Sequence, residues 1–496
     1  MNNLNLELTK AVKRPVTVLQ YGGGNFLRAF VDYFFDLANE KGLYNGSIAI
    51  VESLPLSNVD RFKQQDCQYT LQLRGNIDGE KYVETRVITS IAKALTLTHD
   101  FDEYMALASE ESLRFVVSNT TEAGIVFNGE DRFEDKLYVT FPAKLTQFLY
   151  ARYQHFNGDA SRGLIMLPVE LIDDNGIVLR QYVLDYADLW NLEDGFKAWL
   201  KDACIFTSTL VDRIVPGYPK DEKEEICAQL GYNDDLLDTA EPFALWVIES
   251  PQDISAELPL DKALKGKPNM DIIFTDNQKP YKQRKVRILN GAHTSFVLAS
   301  YLIGHDTVKE SMDDELVRDF MNDTIQKEII PTLTLPPKEL EAFADAVVYR
   351  FNNPFIKHAL LSISLNSVSK WRARCLPSLL GYVEKNQALP KNLTFSIAAL
   401  LAFYNGEKIE NGALLGERNG ETYQIKDDPD VLEFFRDNSA LSARELTEKY
   451  LSNVKFHGQD LTLVPSLLDS VSEDLENIRN FGVRKAMEML KNEAVY

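Results

Sequence analysis

The chain has 496 residues, of which 45% are hydrophobic. One hydrophobic core stops growing near roughly 250–300 residues, so we expect two domains. The formal net charge of −21 excludes nucleic acid and anionic membrane surfaces as expected partners, and an acidic substrate would need local Lys or Arg side chains to overcome that charge.

The first predicted elements form a βαβ unit. Val16–Tyr21, VTVLQY, is a short β-branched run that is typical of a buried strand. A run of three glycines follows, and apolar residues then recur at helical spacing as far as Gly42, which predicts the end of a helix. The next run, SIAIVE, ends at Glu52 and is again strand-like, which completes the unit.

Strand-like and helical runs then alternate as far as residue 275. The strand-like runs are KYVETRVITSI (81–91), LRFVVSN (113–119) and GLIMLPVELI (163–172), and the clearest helical run is FPAKLTQFLYARYQHF (141–156). This alternation predicts an α/β fold, in which helices cover both faces of a Rossmann-type, mostly parallel sheet. Residues 1–275 are therefore predicted to form an NAD-binding domain.

After residue 275 the patterns are mainly helical. DNQKPYKQRK (276–285) is polar and hinge-like, and we place the domain boundary there. The helical runs that follow are TSFVLASYLIG, DELVRDFMNDTIQKEII, PKELEAFADAVVYRF, PFIKHALLSISL, LTFSIAALLAFYNG and the residues from RELTEKYLSN onward. Residues 276–496 are therefore predicted to form a mainly α-helical substrate and catalytic domain.

Gly22, Gly23 and Gly24 stand where the phosphate loop of a Rossmann domain belongs. Glycine allows a sharp turn close to a pyrophosphate, and the following helix N-terminus supplies amide donors. Leu27 occupies the third glycine position of the usual G-x-G-x-x-G, so the motif is incomplete. An ordinary tight turn between a strand and a helix remains the alternative.

Two polar residues at strand ends can also contact a dinucleotide. Glu52 can accept hydrogen bonds from an adenosine ribose and repel a 2′-phosphate, which favours NAD over NADP. Asn119 ends the strand LRFVVSN, at the edge of the sheet where cofactors bind, and can contact the nicotinamide ribose. The alternatives are a solvated glutamate and a capped turn.

The segment KPYKQRKVRILNGAHTSF carries the densest candidate chemistry. Lys285 can move a proton to or from a substrate oxygen if burial and neighbouring charge favour its neutral form. On a continuous α-helix, Lys285 and His293 lie about 80° apart around the axis, whereas Asn290 and His293 share a face. An asparagine amide can donate to a developing alkoxide, and a histidine can bind a substrate hydroxyl. A solvated lysine and a core histidine are the alternatives.

No metal site or membrane span is predicted. The cysteines are far apart and have no zinc-ligand spacing: Cys67, Cys204, Cys227 and Cys375. Scattered cysteines in a large acidic chain favour free thiols in a reducing compartment. No run of about 18 apolar residues occurs. We therefore expect a cytoplasmic protein, and the patterns do not indicate its oligomeric state.

Together, the motifs resemble those of the long-chain, metal-independent mannitol dehydrogenase family. Lys285, Asn290 and His293 match the family signature K-x4-N-x2-H. GGGNFLRAF resembles the nucleotide loop of the family. Further segments match in the same order along nearly the whole chain: SNTTEAG, FPAKLT, VDRIVPGYP, EPFALWVIE and RFNNPFIKHALLSISLNSVSKWRARCLP.

The resemblance implies NAD-dependent hydride transfer, with Lys285 as general acid/base, Asn290 polarising the carbonyl and His293 binding substrate. Lys370 matches a family lysine near the substrate. The expected cofactor-binding residues are Tyr21, Gly22, Gly23, Gly24, Asn25, Phe26, Leu27, Arg28, Glu52 and Asn119. Within the family, the segments lie closest to a branch that interconverts the sugar acids D-altronate and D-tagaturonate. D-Fructuronate or a polyol such as mannitol remains the alternative substrate.

One departure from the family pattern concerns the substrate. Mannitol dehydrogenases place an Asn, a second oxyanion donor, directly after an Asp, but this chain has Glu170-Leu171. Leucine cannot donate a hydrogen bond, so Glu170 is expected to contact a substrate hydroxyl instead. A sugar-acid carboxylate needs a cation, best an arginine. The candidates by motif are His358, Lys370, Arg372 and Arg374, and a basic helix end without this function is the alternative.

Overall fold

The structure is a computed structural model that describes residues 2–52, 58–77, 80–120, 124–137 and 139–492. The chain divides into two compact units, Met1–Gln278 and Lys279–Tyr496. The first contains a six-stranded parallel sheet, and the second is mainly helical. The predicted fold class is therefore confirmed.

The first unit alternates strands and helices. Its strands are β1 (Val16–Tyr21), β2 (Ser47–Glu52), β3 (Tyr69–Ile77), β4 (Glu80–Ile88), β5 (Ile91–Thr96), β6 (Phe115–Ser118), β7 (Ile165–Pro168), β8 (Ile205–Phe206), β9 (Ser208–Asp212), β10 (Asp238–Ala240), β11 (Ala244–Glu249) and β12 (Met270–Thr275). Its α-helices are α1 (Leu6–Thr9), α2 (Asn25–Arg28), α3 (Val31–Glu40), α4 (Val59–Gln64), α5 (Phe101–Ala106), α6 (Phe141–His155), α7 (Asn175–Leu189), α8 (Asp194–Asp202), α9 (Lys223–Leu230) and α10 (Leu260–Ala263). Short 3-10 turns lie at Leu107–Ser109 and Ala160–Arg162.

The main sheet has the strand order β5-β2-β1-β6-β7-β8, and its strands are parallel. This is the 3-2-1-4-5-6 order of a Rossmann domain. The side chains of neighbouring β1 residues lie on opposite faces of the sheet. Val18 belongs to the hydrophobic core that contains Phe34, and Leu19 belongs to the core that contains Phe148. Burial on both faces explains why these strands read as continuous apolar runs. The connection order reverses between β1 and β6, where sheets of this kind bind ligands.

Two predicted elements of this unit are each divided in the structure. The predicted strand at 81–91 becomes β4, which pairs antiparallel with β3 in a second sheet, and β5, which joins the main sheet. Thr89 separates them because its amide and hydroxyl both bond to the Asp36 carboxylate, at 2.7 and 2.8 Å. The predicted helix after the glycines is divided into α2 and α3 at Phe30, which is buried against Phe26 and Trp246.

The second unit is mainly helical. Its α-helices are α11 (Lys279–Arg284), α12 (Gly291–Ile303), α13 (Val308–Asp313), α14 (Glu315–Asp323), α15 (Pro337–Phe351), α16 (Leu360–Ile363), α17 (Ser367–Arg374), α18 (Leu376–Asn386), α19 (Lys391–Phe403), α20 (Pro429–Asp437), α21 (Ala443–Leu451), α22 (Val454–His457), α23 (Leu467–Phe481) and α24 (Val483–Asn492). The π-helical turns are Lys285–Asn290 and Thr324–Ile329, the 3-10 turns are Ile330–Thr332 and Leu461–Leu463, and the strands are β13 (Ile409–Glu410), β14 (Ala413–Arg418) and β15 (Glu421–Ile425).

Three features of the second unit differ from the sequence prediction. The expected hinge at 276–285 is helical from Lys279 onward, because Pro280 is tolerated in the first turn of a helix. The expected helix PFIKHALLSISL is wrong except for α16, because the backbone before it pairs with another segment: the Val308 amide donates to the His358 carbonyl. The antiparallel strands β13 to β15 were not predicted.

The helix α12 is buried along most of its length. Every residue from 291 to 301 is buried, and the helix packs against α17 and α19. A helix that is apolar around its whole circumference needs neighbours on every side, so its position is fixed by packing. Within the described residues, every helix is too short or too polar to cross a membrane.

Glu328 joins the second π-helical turn to α19. Its carboxylate accepts hydrogen bonds from the amides of Asn392 and Leu393, both at 2.8 Å, at the beginning of that helix. Burial raises the pKa of Glu328 from 4.5 to about 7. Because this pKa is higher in the folded than in the unfolded state, the protonated Glu328 side chain contributes to the free energy of unfolding. That contribution is complete below about pH 4.5 and is lost as the pH rises through about 7.

We expect Glu328→Gln to remove this pH dependence. As the pH rises from about 5 to about 8, the stability of the variant relative to the wild type should increase by up to about 3 kcal/mol, because the variant never buries a charge. This increase is added to a constant loss, because the NH2 group of glutamine cannot accept one of the two amide hydrogen bonds. Melting temperatures measured across this range test the expectation, with the exposed Glu384→Gln as the control for the loss of one charge. A difference from the wild type that stays constant with pH would contradict it.

Candidate active site

The glycine turn at the end of β1 accepts no side chain at its first two positions. Gly22 has a φ of +116°, and a Cβ there would lie 3.3 Å from Leu27 Cδ1 and 3.5 Å from the Asn119 carbonyl oxygen. A Cβ on Gly23 would lie 2.5 Å from Glu52 Oε1. The structure therefore brings Glu52 and Asn119, which are distant in sequence, to the same turn.

Gly24 differs from its two neighbours. It has a φ of −71° at the beginning of α2, and a Cβ there would meet no described atom within 4 Å. The absence of a side chain is therefore not required by packing. It leaves space beside the backbone amides, as expected where a phosphate group approaches the main chain.

Glu52 and Asn119 are held by hydrogen bonds at this turn. Glu52 Oε2 accepts from the Asn58 amide at 2.9 Å, and the Asn119 amide donates to the Tyr21 carbonyl at 3.2 Å. Glu52 ends β2 and Asn119 directly follows β6, so both residues lie at the carboxyl ends of the two strands that flank β1. The turn therefore provides glycine backbone, a carboxylate and an asparagine in one place.

Other residues predicted to bind the cofactor have their side chains engaged in packing. The Tyr21 hydroxyl lies 2.6 Å from the Tyr104 hydroxyl in the core. The buried Arg28 bonds to Asn25 Oδ1 at 2.5 Å and lies over the Tyr69 ring. Phe26 stacks on Phe30, and Leu27 is buried, so these side chains shape the turn.

Glu170 ties two strand ends together. Its carboxylate accepts hydrogen bonds from Ser118 Oγ at 3.1 Å, and from the amide and hydroxyl of Thr120, both at 3.0 Å. It is buried, and burial raises its pKa. The neighbouring Leu171 is 64% exposed. The expected contact of Glu170 with a substrate hydroxyl stays a prediction, since its observed partners lie within the protein.

Asn175 is a buried residue at this place that the sequence motifs did not indicate. Its side-chain amide donates to the carbonyls of Pro168, Glu170 and Thr209, at 3.0 to 3.2 Å, and its oxygen accepts from the Thr209 amide. It therefore fixes the loop that carries Glu170. The sequence signal that could have indicated Asn175 is an asparagine between a predicted strand and a helix.

In the second unit, Lys285 and Asn290 begin and end a π-helical turn between α11 and α12. The Gly291 amide donates to the Val286 carbonyl, five residues back. On an α-helix, residues five apart would point about 140° away from each other. In a turn closed by bonds between residues i and i+5, they lie only about 50° apart around the axis. The continuous α-helix assumed from the sequence is therefore wrong, and Lys285 and Asn290 share a face.

The two predicted histidines lie side by side. The His293 ring stacks on Phe351 with 4.0 Å between centroids, and its centroid lies 5.4 Å from that of His358. Burial lowers the pKa of His358, which favours the neutral ring. A neutral imidazole can donate one hydrogen bond and accept another, which suits binding of sugar hydroxyls.

Helix α17 carries Lys370 and is held at its first turn by residues that sequence reasoning missed. The amides of Ser367 and Val368 donate to the Tyr404 hydroxyl and to Asp427 Oδ2, both at 3.3 Å, and Tyr404 also bonds to Asp427. Burial and the nearby guanidinium of Arg374 lower the pKa of Lys370. The helix therefore presents cations from a fixed position.

Among the described residues, no group of three or more His, Cys, Asp or Glu side chains could hold a metal ion. The chain thus has a Rossmann sheet and glycine turn in its first unit, and in its second unit a π-helical turn bounded by Lys285 and Asn290 that leads into the buried helix α12, which carries His293. This combination defines the class of Rossmann-type dehydrogenases with a helical second domain.

Comparison with known proteins identifies the family. Residues 16–262 match the Mannitol dehydrogenase Rossmann domain, and residues 277–479 match the Mannitol dehydrogenase C-terminal domain. The chain belongs to the mannitol dehydrogenase family, so the predicted resemblance is confirmed, and it is a dehydrogenase that acts on a secondary alcohol of a polyol or sugar acid.

Curated relatives match over the full length. The altronate oxidoreductase of Yersinia enterocolitica is 45% identical over 494 residues, which cover 98% of this chain and 99% of the relative. That of Pectobacterium carotovorum is 46% identical over 495 residues, with the same coverage of both chains. The similarity to the sugar-acid branch is therefore confirmed.

Solved structures show the same fold. A D-sorbitol dehydrogenase in substrate-free form has a TM-score of 0.80 at 21% identity, and covers 98% of this chain and 100% of its own. Pseudomonas fluorescens mannitol 2-dehydrogenase, solved as a ternary complex with NAD and D-mannitol, has a TM-score of 0.65 at 22% identity, with 99% and 100% coverage.

We expect Gly24→Ala to weaken dinucleotide binding without destabilising the fold. The added methyl group meets no described atom, but it would occupy the space beside the amides at the beginning of α2. The dissociation constant for NADH should rise about 10-fold or more, while the melting temperature stays unchanged. Fluorescence titration with NADH measures the first quantity.

The matched control for this variant is Gly129→Ala. The Cβ of that variant would also meet open space, with the nearest atom at 3.9 Å, but it lies in a loop outside the glycine turn. Unchanged NADH affinity in Gly24→Ala, or an equal loss in both variants, would show that the turn does not hold the dinucleotide.

Proposed function

We propose that the chain interconverts D-altronate and D-tagaturonate with NAD as the hydride carrier. The observation that carries the proposal is the full-length similarity to altronate oxidoreductases, in both units and in the same order. The cations on α17 support it, because a sugar-acid carboxylate needs positive partners within a strongly acidic protein.

The glycine turn is the proposed cofactor site. When bound, NAD supplies the hydride acceptor for altronate oxidation. The backbone of Gly22, Gly23 and Gly24 provides room for a pyrophosphate, and Asn119 lies beside the same turn. Glu52 is the proposed acceptor of hydrogen bonds from ribose hydroxyls, and its charge would repel the 2′-phosphate of NADP.

Lys285 is the proposed general acid/base. In altronate oxidation its neutral amine takes the proton of the reacting hydroxyl, and in tagaturonate reduction its ammonium group returns that proton to the carbonyl oxygen. The π-helical turn supports this role, because it places Lys285 and Asn290 on one face.

Asn290 is the proposed donor to the reacting oxygen. A fixed amide stabilises the negative charge that develops on this oxygen in the transition state. Leu171 cannot supply a second such donor, so this chain would use one asparagine where its polyol-oxidising relatives use two. His293, which stacks on Phe351 and adjoins His358, is the proposed residue that orients a substrate hydroxyl.

A substrate panel tests the proposed reaction. We expect NADH oxidation to have its highest kcat/KM with D-tagaturonate, at least about 100-fold above D-fructose, because the fructose chain lacks the carboxylate. NADPH should be the poorer coenzyme. A higher kcat/KM for D-fructuronate or D-fructose would contradict the substrate assignment, and equal use of NADPH would contradict the cofactor assignment.

Lys285→Ala tests the proton transfer. We expect kcat to fall about 10³-fold while NADH affinity is retained, because the variant removes the acid/base but leaves the first unit unchanged. Lys327→Ala, at an exposed lysine paired with Asp323, is the matched control and should keep wild-type activity. An unchanged kcat in Lys285→Ala would remove this lysine from the mechanism.

A further inference from the structure

The three cationic residues of α17 have different neighbours. Lys370 Nζ donates to the Ile363 carbonyl at 2.9 Å. Arg372 is exposed, and its Nη2 lies 2.9 Å from the position that a Cβ on Gly458 would take. Arg374 Nη1 instead donates to Thr294 Oγ1 on α12, at 3.3 Å. Only the third of these hydrogen bonds or close approaches reaches α12, the helix that carries His293 and directly follows Asn290.

Thr294 connects Arg374 to the proposed catalytic face. The Thr294 hydroxyl donates to the Asn290 carbonyl at 2.9 Å. Asn290, His293 and Thr294 are spaced i, i+3 and i+4, so they lie on one face of α12. The Arg374 guanidinium therefore lies against the face from which Asn290 and His293 project.

Arg374 forms no ion pair with any carboxylate in the described part of the chain, although the protein has 74 acidic residues. Burial of the side chain lowers its pKa. A half-buried guanidinium has five N–H donors, and the hydrogen bond to Thr294 uses one of them. A desolvated cation without a protein counterion is suited to a ligand anion.

The spacing also fits a keto sugar acid. Asn290 and Thr294 are separated by about 6 Å along the helix axis. In D-tagaturonate, four carbon–carbon bonds separate the keto carbon from the carboxylate carbon, which is roughly 5 Å when the chain is extended. A substrate whose carbonyl oxygen meets Asn290 can therefore place its carboxylate beside Arg374.

We infer that Arg374 binds the substrate carboxylate and determines the preference for a sugar acid over a neutral ketose. The inference rests on the proposed function and names the residue that gives it specificity. Lys370 adds positive charge from the same helix, but its ammonium group is engaged by the Ile363 carbonyl. His358 is the weaker candidate because burial favours its neutral form.

The test compares D-tagaturonate with D-tagatose, which has the same carbon skeleton without the carboxylate. In Arg374→Leu, we expect kcat/KM for tagaturonate to fall about 100-fold or more, mainly through KM, because a charge-assisted bidentate contact is lost. The value for tagatose should change by less than about 3-fold. Arg374→Lys keeps the charge but loses the bidentate geometry, so it should recover part of the loss.

Arg444→Leu, at an exposed arginine outside α17 that pairs with Asp469, is the matched control and should leave both substrates unaffected. Melting temperature and NADH affinity report the integrity of each variant, and Arg374→Lys provides the decisive comparison if the leucine variant does not fold. An equal loss for both substrates would overturn the assignment of Arg374 and leave the proposed function intact. Failure of the wild type to reduce tagaturonate would instead refute the proposed function.

Discussion

The π-helical turn at Lys285–Asn290 is the constraint on which the arrangement of the second unit depends. A π-helical turn is unfavourable in isolation, so the surrounding packing must maintain it. Gly291 allows the Arg374 carbonyl to approach within 3.2 Å of its Cβ position, and the Cys375 thiol donates to the Gly291 carbonyl. A larger residue at position 291 would push α17 away from α12. The same contact therefore holds the turn and positions the cations of α17.

In the first unit, buried hydrogen bonds hold the loops at the carboxyl ends of the strands. Gln20 donates to the Gly22 carbonyl at 3.1 Å, and the Glu52 carboxylate lies against Gly23. Glu170 and Asn175 join the ends of β6 and β7 to the beginning of α7. Unpaired polar groups are costly when buried, so each of these contacts strongly favours one loop conformation. These contacts hold the described backbone at the proposed cofactor site.

The sequence predicted the elements whose burial pattern follows from local periodicity. Val16–Tyr21 and SIAIVE were placed correctly because buried parallel strands are continuous apolar runs. The division of a strand at Thr89 was not predictable, because it depends on Asp36 from another element. The π-helical turn was not predicted, because the extra residue that widens a helical turn leaves no characteristic residue type in the sequence. The face shared by Lys285 and Asn290 therefore appeared only in the structure.

The sequence predicted the site residues one by one. The structure groups them in two places, the glycine turn of the first unit and the segment around α12 in the second unit. The family signature named Lys285, Asn290 and His293, but only tertiary packing shows that His358 adjoins His293 and that Arg374, rather than Arg372, reaches α12. Spacing along the chain contains no information about which neighbour a long side chain contacts. The sequence therefore predicted the types of residue at the site, and the packing showed which cationic residue of α17 reaches α12.

A crystal structure with NADH and D-altronate, a pair that cannot react, would test the central claim most directly. The account predicts that the reacting hydroxyl lies within about 3.2 Å of both Lys285 Nζ and Asn290 Nδ2, with the carboxylate at Arg374. A sugar acid bound with its carboxylate at Lys285, or with its reacting hydroxyl away from Asn290, would contradict the account.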